Sequence, residues 1–167
     1  MEEEKYQTQS KWQGKASAEL KRMSPERAWP ALANFCNLHK WFPTVSACRQ
    51  VEGVPGQPDL FRYCASAPVD YDESTIKWSE EKLLTIDPIQ RRLSYEVTES
   101  NLGFKSYVAT KQLVAMDSGD GCRIEWSFVS DPIEGWGLDD FLSYLDSSVQ
   151  LIGKTIMEHP SLSATTT

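Results

Sequence analysis

Arg62 and Glu81 are the residues of this chain whose types and spacing speak most directly of chemistry. A carboxylate can take up and return a proton, and a guanidinium offers fixed donors to an anionic oxygen. Their midpoint falls inside the turn-like run Pro68-Val69-Asp70-Tyr71-Asp72-Glu73, so pairing of the flanks as a β-hairpin makes them cross-strand neighbours. The midpoint of Glu81 and Tyr95 falls on Pro88, and that of Tyr95 and Tyr107 on Asn101. In the absence of bulges, Arg62, Glu81, Tyr95 and Tyr107 form one row across neighbouring strands.

The phase of the row favours an inward face. Arg62 is in phase with Leu60 and Cys64, Tyr95 with Leu93 and Val97, and Glu81 with Leu83. Lys77 and Ser79 on the Glu81 row, and Lys111 in phase with Tyr107, argue instead for an exposed ion pair worth less than about 1 kcal/mol. An inward charge pair costs desolvation that apolar residues would not, and a polar anchor in a ligand cavity is the expected reason for it.

The elements that must position these residues follow from hydrophobic period. Trp12, Gly14, Ala16, Ala18 and Leu20 alternate with polar residues, as in a half-buried strand. Ser24-Pro25-Glu26 combines an N-cap, a proline at the first helical position and an acid in the first turn, which predicts a helix through Ala28, Trp29, Leu32 and Phe35. A second short helix is expected from Asn37 to Trp41, stopped before Pro43. From Thr44 the period is two, broken by turn clusters at 54–58, 68–73, 87–88, 100–103 and 117–121, which predicts six consecutive strands in antiparallel hairpins. Leu138, Phe141, Leu142, Leu145, Val149, Ile152 and Ile156 then trace the stripe of a long amphipathic helix that Pro160 should end.

The chain has 167 residues, 40% of them hydrophobic, enough for one domain with a substantial core. Its formal net charge of −7 leaves no basic stripe for phosphates, so charge argues against nucleic acid as a partner and equally against an anionic membrane surface. No segment reaches the roughly 20 apolar residues of a membrane helix, and the acidic N-terminus lacks a signal-peptide pattern, so a cytoplasmic protein without stable membrane insertion is expected. Cys36, Cys48, Cys64 and Cys122 read as small buried hydrophobes, and His39 and His159 are too few and too far apart for a metal set; neither metal nor cofactor is expected.

This order of elements resembles the helix-grip fold of the START and birch-pollen-allergen superfamily, also described as polyketide cyclase/dehydrase and lipid transport proteins. The resemblance implies an α+β fold: a curved seven-stranded antiparallel sheet wrapped around a long C-terminal helix, two short helices after the first strand, and an internal cavity for an apolar molecule. It covers residues 11–158, leaving 1–10 and 159–167 as expected flexible segments. Within the superfamily, Lys11-Trp12-Gln13-Gly14-Lys15, Asn37-Leu38-His39-Lys40, Val51-Glu52-Gly53, Arg62-Tyr63, Glu81-Lys82-Leu83, Tyr107-Val108-Ala109-Thr110, Trp126-Ser127-Phe128 and Ile133-Glu134-Gly135 are similar to strings of plant lachrymatory-factor synthases.

That narrower resemblance implies a role for each site residue. Arg62 would hold the oxygen of an alkenyl sulfenic acid, Glu81 would shuttle its proton from oxygen to carbon, and Tyr107 would donate a hydrogen bond. Tyr95 and Trp126 would line the pocket, with Lys77, Ser79, Phe128 and Leu142 as further ligand-binding positions. Lys77 departs from the family pattern, which has an aromatic before the strand tryptophan; a lysine there changes the pocket charge or sits at its mouth with its head in water. The expected partner is a small hydrophobic or sulfur-containing ligand; no protein partner is predicted.

A second function class is a non-catalytic carrier of a hydrophobic plant metabolite or lipid, since a cavity with a polar anchor serves binding as well as catalysis. The plant abscisic-acid receptors share the superfamily, but their gate, latch and hormone-binding lysine have no counterparts in Ser66-Ala67-Pro68-Val69, Ser100-Asn101-Leu102-Gly103 and Ser46. Loops 52–58, 66–73 and 100–103 are expected to rim the cavity entrance.

Overall fold

In the computed structural model, which describes residues 10–159, all seven strands join one antiparallel sheet. They are β1 (Trp12–Lys21), β2 (Ala47–Glu52), β3 (Phe61–Ala65), β4 (Trp78–Asp87), β5 (Arg92–Ser100), β6 (Val108–Ala115) and β7 (Gly121–Ser130), in the order β1-β7-β6-β5-β4-β3-β2. Helix α1 (Pro25–Ala33) follows β1, and helix α2 (Leu138–Glu158) closes the chain of elements, giving the expected α+β helix-grip architecture. The two flexible ends predicted from sequence lie outside the described residues, apart from Ser10 and His159.

Local chemistry accounts for the helix boundaries. The Ser24 side chain accepts from the Arg27 backbone N–H at 3.2 Å, capping α1 with Pro25 at its first position. α1 stops at Ala33, short of the predicted Phe35, which instead opens a 3₁₀ segment, Phe35–Lys40. The segment thus begins two residues before Asn37, where the second helix was expected to start, and Asn34 takes the cap position. Asn37 sits within a kink at φ −117°, and its amide donates to Asn34 Oδ1 at 2.8 Å. The break has a consequence at the site, because it frees the Phe35 carbonyl for a side-chain donor.

The Arg62–Glu81 pairing across β3 and β4 is as the turn midpoint predicts. The rest of the row is shifted. Glu81 pairs with Val97, while Tyr95 pairs with Leu83 on β4 and Ala109 on β6. Irregularities between Glu80 and Glu81 and between Leu83 and Thr85 move the register, and the turn after Asp87 places Arg91 at φ 53°. Tyr107 falls just before β6, with its carbonyl accepting from the Val97 N–H at 3.1 Å. Because the slip is even, every member of the row keeps its face.

α2 lies along the inner face of the sheet. Phe141, Leu145, Val149, Ile152 and Ile156 are buried on it, and Asp139 and Asp140 favour its first turn electrostatically. Ala18 and Leu20 approach α2 at Gly153, where an added Cβ would stand 3.2 Å from the Ala18 Cβ. An added Cβ at Gly14 would collide with Leu142 Cδ2, so a side chain at this β1 position would push the helix from the sheet. Among the described residues, no helix is long and apolar enough to cross a membrane.

Candidate functional site

Arg62 is 3% exposed and Glu81 9%, so their ion pair belongs to the interior and not to a solvated sheet face. Arg62 Nε donates to Glu81 Oε1 at 2.7 Å, and Nη1 donates to the Phe35 carbonyl at 2.7 Å. The guanidinium carbon lies 3.8 Å from the Phe35 ring centroid and 4.8 Å from that of Tyr95, so aromatic faces cover the cation. Glu81 Oε2 accepts from the Ser79 hydroxyl at 3.0 Å. Burial alone would push Arg62 down, but Glu81 outweighs it and holds the guanidinium above its ordinary value.

The pair forms part of the wall of a cavity of about 510 Å³, within the range of small-molecule sites. Tyr95, Tyr107, Trp126, Ser79 and Lys77 line the same space. Tyr95 and Tyr107 are 3% and 4% exposed, and burial followed by neighbouring charge and phenol groups raises both hydroxyls, so they face the cavity as neutral donors. Lys77 is exposed at the rim, its backbone N–H donating to Ser66 Oγ at 2.9 Å, which is the mouth position weighed from sequence.

Phe128 and Leu142 do not line the cavity. Phe128 stacks behind Tyr107 at 5.8 Å and meets Phe141 edge-on at 4.9 Å, while Leu142 turns toward β1 and Gly14. The helical stripe contained both faces of α2; it is Phe141, Tyr144 and Leu145 that reach the cavity. The loop at 52–58 is also away from the entrance, since it closes the β2–β3 hairpin beside Asp59 and Leu60. Ser66, Asn101 and Leu102 do reach the lining, as expected for the other two loops.

Lys111 is the site residue that sequence reasoning turned away. Its phase with Tyr107 was an argument for an exposed face, yet it is 4% exposed and lines the cavity. Its Nζ lies 4.3 Å from the Trp126 ring centroid and 5.6 Å from that of Tyr95. Burial pushes the ammonium down to about 7, Arg62 acting in the same direction and Glu81 against it. Cys64 also lines the cavity, and its Sγ lies 3.1 Å from Cys48 Sγ on the paired strand. The shared proton pushes the Cys48 thiol down to about 6 and the Cys64 thiol up.

Residues 11–149 match the family described as "Polyketide cyclase / dehydrase and lipid transport", and the chain belongs to that family. Among solved structures it is similar to the protein XoxI from Bacillus cereus, at 19% identity over 87% of this chain and 93% of that one, with a TM-score of 0.70. It is similar to Ara h 8.0201 at 18% identity, covering 92% of this chain and 99% of that one, with a TM-score of 0.69. A protein from Nitrosospira multiformis matches at 18% identity, 88% and 94% coverage and a TM-score of 0.66. At these identities the likeness is one of fold, the helix grip.

Proposed function

We propose that the protein takes a small, largely apolar molecule into this cavity and moves a proton on it through Glu81. The observation that carries the reading is a 9%-exposed carboxylate in a cavity wall, fixed by Arg62 on one oxygen and Ser79 on the other. A carboxylate so held has one orientation and loses little entropy on reaction. The family description names chemistry and transport of apolar molecules, which fits the aromatic lining.

The substrate class that the sequence strings favour is an alkenyl sulfenic acid. Glu81 would remove the proton from the sulfenic oxygen and return it to the alkenyl carbon distal to sulfur, while the carbon–carbon double bond moves to carbon and sulfur. The product is a thial S-oxide, and no atom is gained or lost. Arg62, whose Nη2 lies 2.7 Å from Glu81 Oε1 and presents almost no free surface, fixes the carboxylate and would set its positive charge near the substrate oxygen. Tyr107 supplies a further neutral donor on the same cavity.

A carrier is the second reading, favoured by one feature of the guanidinium. Nε and Nη1 are already engaged by Glu81 and the Phe35 carbonyl, which suits Arg62 to positioning more than to substrate capture. The two readings separate in one assay, with a sulfenic acid generated beside the protein and the thial S-oxide measured by mass spectrometry. Wild type forms the product and Glu81→Gln, folded, does not; an active Glu81→Gln variant rules out the proton-transfer role. Ligand recovered unchanged from both proteins supports the carrier.

A further inference from the structure

The cavity lining includes a buried cation without an anionic partner. Among the described residues Lys111 has no carboxylate partner, although it is 4% exposed. Its Nζ sits over the face of the Trp126 ring, whereas the Trp126 indole N–H, beside the Tyr107 hydroxyl, and Arg62 Nη2, beside Glu81, are themselves closed off from the cavity space. The lining around Lys111 holds a single carboxylate, that of Glu81, whose two oxygens already accept from Arg62 and Ser79. A buried charged donor left without an acceptor is costly, so this arrangement is stabilised by whatever brings the missing acceptor.

We propose that Lys111, seated over the Trp126 ring, anchors an oxyanion subsite, so that the preferred ligand is an apolar molecule ending in a carboxylate or an equivalent anionic oxygen. This inference rests on the cavity being a ligand site, and it is independent of whether Glu81 moves a proton. The rest of the lining suits the other end of such a molecule: Val97, Phe104, Phe141 and Leu145 are apolar and offer no competing polar partner.

A carboxylate here does more than accept hydrogen bonds. The charged groups that face Lys111 are Arg62 on β3, which opposes its proton, and Glu81 on β4, which favours it; the thiols of Cys64 and Cys48 and the phenol of Tyr95 complete the titratable surroundings. Arg62 is neutralised by Glu81, so Lys111 stands as the unmatched cation, and an incoming anion restores its charged form. Free Lys111 titrates at about 7. At pH 8 binding therefore draws in a proton, and at pH 6, where the ammonium is already formed, it does not.

Octanoate and 1-octanol, of equal chain length, test this by isothermal titration calorimetry on the full chain. Wild type should bind octanoate at least tenfold more tightly than 1-octanol, and Lys111→Met should lose that preference while keeping its affinity for the alcohol. Repeating the octanoate titration at pH 8 in buffers of different ionisation enthalpy should show uptake approaching one proton, fading at pH 6; this readout needs no variant to fold. Equal affinity for acid and alcohol, or no proton uptake at pH 8, overturns the subsite while leaving the cavity reading intact. Failure of both probes to bind overturns the cavity reading and the subsite with it.

Discussion

The two halves of α2 cover the same sheet face and meet opposite surroundings. Toward its C-terminus, Val149, Ile152 and Ile156 pack on Ala18, Leu20 and Ile124 with all six nearly inaccessible. Toward its N-terminus, Phe141, Tyr144 and Leu145 stand across a cavity from Arg62, Glu81 and Lys111. One half is close-packed and apolar; the other leaves space and buries charge. The contrast teaches that the polar inner residues are not a tolerated defect of a small core, because the same fold closes fully a few turns along the same helix.

Variants at the two ends should therefore fail in different ways. The largest effect is expected from Arg62→Leu, which strands Glu81 in the interior and deprives the Phe35 carbonyl of its donor. A loss of about 4 kcal/mol in denaturant unfolding follows from breaking a buried pair, and Arg62→Leu combined with Glu81→Leu should recover most of it. No loss in the single variant would mean that the pair is solvated, and the contrast between the ends would collapse. Ile152→Ala at the packed end should cost about 3 kcal/mol through its cavity, with 1-octanol affinity unchanged.

Gly14→Ala should cost about 2 kcal/mol, since a Cβ meets Leu142 and the helix must shift. The smallest effect, and the one of opposite sign, is expected from Lys111→Met. Removing a cation whose folded form is penalised should raise stability at pH 7 by something on the order of 1 kcal/mol. The sign follows from linkage: the lysine titrates at about 7 folded against an ordinary 10.5, so the unfolded chain holds more protons between those values. Wild type thus gains on the variant as pH rises from 7 to 10.5, and the difference between their thermal melts should move in wild type's favour across that range.

The comparison also shows what could be read from the chain. The packed end was legible almost entirely, because alternation in β1 and β7 and the stripe of α2 report burial directly. At the cavity end, the Arg62–Glu81 pairing was legible because the connection after β3 is symmetric about its midpoint. The placement of Tyr95 two residues further along was not, since the irregularities in β4 leave no mark in hydrophobic pattern. Lys111 was misread for a different reason: a lysine on an inward phase reads as solvent-facing unless the aromatic faces of Trp126 and Tyr95 that receive it are known. The Phe35 carbonyl could not be foreseen at all, as it depends on where α1 breaks.

The most direct test of the central claim, that ligand enters the charged end of the inner face, is a backbone amide NMR titration with 1-octanol. The account predicts shift changes concentrated at Arg62, Glu81, Val97, Tyr107 and Tyr144, with Ala18, Ile124 and Ile156 unmoved. Changes confined to the packed end or to the outer sheet face would contradict it.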